Sequence, residues 1–282
     1  MLTLKNKLLK SQLILLFSFW GLVLYAQQQY ALIENINYYN DSLTQKDQYI
    51  YNQCNLDLYY PKEVKNFPTI VWFHGGGLTA GTKELPSYLM EKGCAVVGVE
   101  YRLSPKVQSP AYIEDAAAAL AWVFNHIEKY GGRKDLIFLS GHSAGAYLGM
   151  MVTFDKKYLQ KYNIDANQIA GLIPFSGQAI THFTIRKEKG LSAIQPVIDE
   201  FAPLYFVKEE TPPILLITGD RELELYGRYE ENAYLLRMFK LTGNKKCRLY
   251  ELQGFDHGTM PEPAFPLLMQ EVNKITRQVL KK

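Results

Sequence analysis

A chain of 282 residues, 48% hydrophobic and 13% aromatic, has ample material for a packed core, which excludes disorder as its main state. Its 31 Lys and Arg against 28 Asp and Glu give a net charge of +3, and Lys5, Lys7 and Lys10 account for the whole excess. The remainder is formally neutral, so nothing in the charge balance offers a broad footprint for nucleic acid or an anionic membrane.

In chain order, the first element is a targeting segment. The three lysines, the uncharged apolar run from Leu13 to Leu24, and Ala26 ahead of Gln27 have the layout of a secretory signal peptide over residues 1–26. The run is shorter than the roughly 20 residues a spanning helix needs. Cleavage after Ala26 is therefore expected, giving a secreted or periplasmic product with no stable membrane association; an uncleaved anchor is the alternative. Residues 27–282 then read as a single domain, with strands predicted at Leu56 to Tyr60, Thr69 to Phe73, Ala95 to Tyr101, Leu136 to Ser140, Gly171 to Phe175, Ile214 to Thr218 and Cys247 to Leu252. Helical patterns fall between them at Ala111 to Tyr130, Ala144 to Phe154, Arg228 to Leu241 and Leu267 to Leu280. This alternation predicts an α/β fold, a mainly parallel central sheet with helices on both faces. The stretch from Ser176 to Pro213 is too long for a plain connection and reads as an insertion over the sheet edge where ligands enter. Cys54, Cys94 and Cys247 have no paired or metal-ligand spacing, and Cys94 and Cys247 each open an apolar run, as core residues do.

The chemistry concentrates at strand ends. The strand ending at Ser140 runs into Gly141-His142-Ser143-Ala144-Gly145 with a helix behind it, the strand–turn–helix setting in which G-x-S-x-G displays a nucleophilic serine. The glycines let strand and helix approach closely enough to hold Ser143 in a strained turn. A second glycine run, His74-Gly75-Gly76-Gly77, follows the strand Thr69 to Phe73. Backbone amides unblocked by side chains can point at a developing oxyanion, each contributing on the order of 3 kcal/mol in the transition state, and the amides of Gly75, Gly76 and Ala144 are assigned that role. A phosphate cradle fails, because Thr82-Lys83-Glu84 follows Gly81 where Lys and Ser or Thr are needed.

Of five histidines, His74 and His142 lie inside these two motifs, His126 in the long helix and His182 in the insertion. His257 sits in a glycine-flanked loop after the last strand and is the expected base, in the chain order Ser, acid, His. The acid comes from Gly219-Asp220-Arg221-Glu222-Leu223-Glu224, just past a strand end. Glu222 is the expected partner of His257, Asp220 the alternative that could instead tie down the loop, and Glu224 stands third. No cluster with ligand spacing calls for a metal or an organic cofactor.

Together Leu56 to Pro61, His74 to Gly77, Glu100 to Pro105, Gly141 to Gly145 and the Gly219 and His257 segments resemble the α/β-hydrolase superfamily, and within it the hormone-sensitive-lipase-like and feruloyl- or acetyl-xylan-esterase-like carboxylesterases. The resemblance covers roughly residues 50–280. It implies a serine hydrolase of short-acyl carboxylic esters, small or carbohydrate-linked and including those of plant polysaccharides, with a peptidase, an arylformamidase or a catalytically dead binding module as rivals. Such relatives usually carry Asp three residues past the small residue that ends the strand, where this chain has Glu222. Lipase-like relatives often carry a sizeable N-terminal cap; the short segment here implies an open cleft.

Overall fold

A computed structural model of the chain describes residues 29–281; the expected signal segment lies outside the described residues. Eight strands form one sheet in the order β1-β2-β4-β3-β5-β6-β7-β8. They are β1 (Tyr30–Asn37), β2 (Asn55–Pro61), β3 (Phe67–Phe73), β4 (Ala95–Val99), β5 (Gly132–His142), β6 (Gly171–Phe175), β7 (Ile214–Gly219) and β8 (Cys247–Leu252). From β4 to β8 every neighbouring pair is parallel, whereas β1 and β2 add on antiparallel at the β4 edge. The sheet is therefore mainly parallel, and β3, buried at every residue, has the continuous apolar character that a strand covered on both faces requires.

Helices cover both faces. On one lie α1 (Ala111–Tyr130), α2 (Ala144–Phe154) and α4 (Arg228–Leu241), whose Leu120, Phe124, Leu148, Met151, Leu235 and Phe239 join Val71, Phe73 and Leu139 in one core cluster. On the other lies α5 (Pro261–Leu280), whose Leu268, Val272 and Ile275 pack with Ile70, Trp72, Phe138 and Phe175. Neighbouring residues of β3 thus serve opposite cores, as the two-residue period of a strand dictates. Alanine-rich α1 ends where Gly131 turns left-handed at φ 102 and its amide donates to the Glu128 and Ile127 carbonyls. Helix α5 starts six residues before the expected Leu267, because prolines in a first turn need no amide donor. Cys54, Cys94 and Cys247 are free, buried thiols, and burial pushes those of Cys94 and Cys247 up to about 12.

The segment 176–213 contains α3 (Phe183–Glu188) and a 3-10 turn at Pro203–Phe206. Tyr147 Oη of α2 ties it to the rest of the fold by donating to the Phe201 carbonyl at 2.7 Å, and within the segment the Leu204 amide donates to the Ala179 carbonyl at 2.9 Å. In the Glu100 to Pro105 motif, Arg102 grips the fully buried Asp115 of α1 through Nε at 2.8 Å and Nη2 at 2.7 Å, two parallel charge-assisted bonds.

Candidate active site

Ser143 sits between β5 and α2 at φ 56, ψ −112, a backbone conformation that costs of the order of 1–3 kcal/mol for a non-glycine residue. Its surroundings hold it there. The Ser143 amide donates to the Phe175 carbonyl of β6 at 2.9 Å, tying the turn to the next strand. A side chain on Gly145 would place Cβ 2.0 Å from the Phe73 carbonyl oxygen, so the helix can pass this close to β3 only with glycine. The turn thereby brings the hydroxyl to the carboxyl edge of the sheet, under the N-terminus of α2.

His257, in the loop between β8 and α5, places Nε2 2.9 Å from Ser143 Oγ and Nδ1 2.8 Å from Glu224 Oε2. The carboxylate of Glu224 is held from several sides. It accepts from the Gly219 amide at 2.9 Å, the Ser176 hydroxyl at 2.6 Å and its neighbour's amide, Leu225, at 3.1 Å. Burial pushes the carboxyl up, but the bonds from His257 and Ser176, with the His257 charge and the Gly219 amide, outweigh it and hold the group down at about 2. Glu224 is thus anionic where an imidazolium would form on His257.

The acid expected from the sequence is therefore corrected. Glu222 is exposed, and its amide donates to Asp220 Oδ1 at 2.9 Å. Residues 220–224 form a helical turn, with the Glu224 amide donating to the Asp220 carbonyl at 2.9 Å, and this turn leaves 222 facing outward while 224 swings back over the end of β7. Asp220, the alternative, is a loop tie: its carboxylate accepts the Gly254 amide at 2.8 Å, and its own amide donates to Phe255 at 2.8 Å, lashing the acid loop to the His257 loop. The Gly254 and Glu222 amides hold its carboxyl below the usual value. Arg221 turns away to Glu230.

Of the remaining histidines, His142 and His74 brace the site. His142 donates from Nε2 to the His257 carbonyl at 2.9 Å, its ring 4.7 Å from that of His257; burial, and then the His257 charge, lowers its pKa to about 4. His74 contacts Glu100 Oε1 through Nε2 at 2.9 Å and the Gly75 carbonyl through Nδ1 at 2.7 Å, while Tyr101 stacks on its ring and donates to its carbonyl. His126 contacts the Trp122 carbonyl within α1, and fully buried His182 caps α3, its Nδ1 accepting from Thr184.

This scaffold sets the glycine loop against the serine. A Cβ on Gly75 would meet the His142 carbonyl at 3.3 Å and Ser143 Cβ at 3.7 Å. Gly76, at φ 108, has the Ala80 carbonyl 2.0 Å from where a Cβ would stand. Ala144 is the first residue of α2, so its amide belongs to the turn that has no acceptor within the helix. From above, Thr184 Oγ1 donates to the Gly77 carbonyl at 2.5 Å, and the Phe183 ring stands 3.0 Å from where a Gly77 Cβ would be. Sequence reasoning ranked Glu224 only third among the acids and gave no role to Ser176 or Arg228, which only the assembled sheet brings near His257.

The BD-FAE family model matches residues 56–179. The chain is 28% identical over 177 residues to the probable carboxylic ester hydrolase LipM of Mycobacterium tuberculosis, covering 54% of this chain and 40% of that one. It is 34% identical over 133 residues to probable carboxylesterase 1 of Arabidopsis thaliana, covering 41% of each. The chain thus spans about two fifths of the length of these curated relatives. Among solved structures, a truncated carbohydrate esterase from gut microbiota superposes with a TM-score of 0.69 at 18% identity, covering 89% of this chain and 98% of that one. Esterase B from Lactobacillus rhamnosis gives 0.68 at 20% identity, covering 89% and 88%.

Proposed function

We propose that the chain is a member of the α/β-hydrolase superfamily, in which chemistry is decided by the residues at the strand ends, and that it is a serine carboxylesterase. The observation that carries this reading is the unbroken line from Ser143 Oγ through His257 to Glu224, at 2.9 and 2.8 Å, beside a glycine loop. His257 Nε2 can accept the serine proton only if the ring proton sits on Nδ1, the nitrogen facing Glu224. Ser143 attacks the ester carbonyl as His257 takes its proton, and the Gly75, Gly76 and Ala144 amides receive the oxyanion. Collapse breaks the bond to the alcohol, which takes the proton back from His257. Water then attacks the acyl group on Ser143 by the same route in reverse.

The substrate in this reading is a short-acyl ester of a hydroxylated, carbohydrate-like alcohol. A cavity of about 700 Å³ beside the His257 loop supports it, lined by Glu84, Ser87, Tyr88, Thr259, Glu262 and Phe265. Hydroxyls, carboxylates and aromatic edges of this kind suit an alcohol with many hydroxyl groups, and one structural neighbour is itself a carbohydrate esterase. Acetyl, butyryl and feruloyl esters, sugar acetates, a peptide and an arylformamide, offered side by side to residues 27–282 and to Ser143→Ala, test it. Ester turnover abolished by Ser143→Ala supports the proposal; faster turnover of the peptide or the formamide overturns it, as does absence of fluorophosphonate labelling at Ser143. Export is part of the same proposal, supported by Lys5, Lys7, Lys10 and the apolar run to Leu24. A mature N-terminus at Gln27 outside the cytoplasm is expected; full-length protein retained in the cytoplasm would contradict it.

A further inference from the structure

We propose that Ser176 is a positioning residue of this site, a hydroxyl that bridges the carboxylate of Glu224 and the ring of His257 and fixes the pair for proton transfer. The inference rests on the carboxylesterase reading and adds to it a group that no spacing argument finds. Ser176 follows β6, the strand between the one that ends near the nucleophile and the one that leads to the acid. Its Oγ lies 2.6 Å from Glu224 Oε1 and 3.0 Å from His257 Nδ1, while that same Nδ1 lies 2.8 Å from Glu224 Oε2.

Only one assignment of protons satisfies all three contacts. An ionised carboxylate can only accept, so the Ser176 hydroxyl donates to Oε1 and the ring N–H at Nδ1 donates to Oε2. The serine oxygen is then free to accept the same N–H as a second, weaker partner. Were Nδ1 bare, its lone pair would face Oε2 at 2.8 Å with no proton between them. The three-membered arrangement therefore selects the ring tautomer whose Nε2 is open to Ser143.

The hydroxyl is itself held. Ser176 is fully buried, with φ 50. Its amide donates to the Ile217 carbonyl at 2.7 Å, and its own carbonyl accepts from Nη1 of Arg228, a guanidinium at the start of α4 that is also fully buried. A backbone fixed on both sides leaves the side chain facing the acid and base.

The test compares Ser176→Ala with Ser176→Gly on p-nitrophenyl acetate. Both lack the hydroxyl, but glycine accepts a positive φ with less strain than alanine, so a hydroxyl role and a backbone role separate. The expected result is the same fall in kcat for both, about 10- to 100-fold as suits one hydrogen bond to a charged group, with KM within about twofold. Fluorophosphonate labelling of Ser143 slows in parallel, since it depends on the same base. Kinetics within about twofold of the parent in both variants overturn the inference and leave the esterase reading intact, provided Ser143→Ala is dead. Impairment by alanine that glycine restores overturns it too, assigning Ser176 to backbone geometry alone. A parent chain that neither turns over esters nor labels at Ser143 overturns both.

Discussion

Glu224 reaches His257 by length as much as by position. Its Oε1 accepts the Gly219 amide, so the side chain folds back over the end of its own strand. Glu224→Gln fits the same space but cannot balance an imidazolium. The expected fall in kcat is steep, up to about four orders of magnitude, the loss known for the Asp-to-amide change in a serine protease triad. Glu222→Gln should leave kcat within about twofold, because that side chain is exposed and only its amide is engaged. Asp220→Asn should lower the thermal midpoint while reducing kcat by less than about tenfold, since its carboxylate ties the acid loop to the base loop through the Gly254 amide. Three pH–rate and melting series check the order of effects; equal losses at 222 and 224 would refute the assignment.

Among the elements, α3 has a role beyond covering the sheet. Thr184 hooks the glycine loop at Gly77, so Thr184→Val, which keeps the shape and removes the bond, should lower kcat by about tenfold with little change in KM. An unchanged kcat would show that His74 and Tyr101 suffice to fix the loop. The helices α1, α2 and α4 and the strands β6 and β8 were fully legible, because propensity, periodicity and burial agree there. Strand β1 was not. Its residues are mostly half-buried or exposed, its register shifts between Ile33 and Ile36, and Asn35 turns to φ 58 to donate its amide to Asp57, so no clean alternation marks it. The serine and histidine could be placed because glycines mark their turns. The acid could not: counting residues from Gly219 treats the segment as extended, whereas 220–224 is wound into a turn.

For the molecule as a whole, His142 and Glu224 are two of the groups that make stability fall in acid, and fully buried His182, lowered chiefly by desolvation, acts in the same direction as His142. His142 has a pKa lowered from 6.5 to about 4, so the folded state resists a proton that the unfolded chain accepts; this stability is complete above 6.5 and declines as pH falls toward 4. Glu224, lowered from 4.5 to about 2, contributes stability present above 4.5 and lost as pH falls through 2. Thermal midpoints measured from pH 7 to 3 should therefore fall, and His142→Gln should flatten the upper part of the curve. A parent curve level between pH 6.5 and 4 would contradict the buried neutral state of His142. Substrate size is also a property of the whole. Among the described residues the 176–213 segment lies over the glycine loop, with Phe183 close over Gly77, so each added methylene gains at most about 0.8 kcal/mol. Catalytic efficiency should not climb steadily from acetate to decanoate.

The proposed nucleophile and its base are separated by 114 residues, and the proposed acid and base follow β7 and β8, the last two strands among the described residues. The consequence is temporal. At translation rates of about 5–20 residues per second, Ser143 exists for roughly 6–23 seconds before His257 is made. Throughout that interval the chain contains its reactive serine but no histidine able to activate it. In the proposed hydrolase the serine is therefore unarmed until His257 has been made and brought against it.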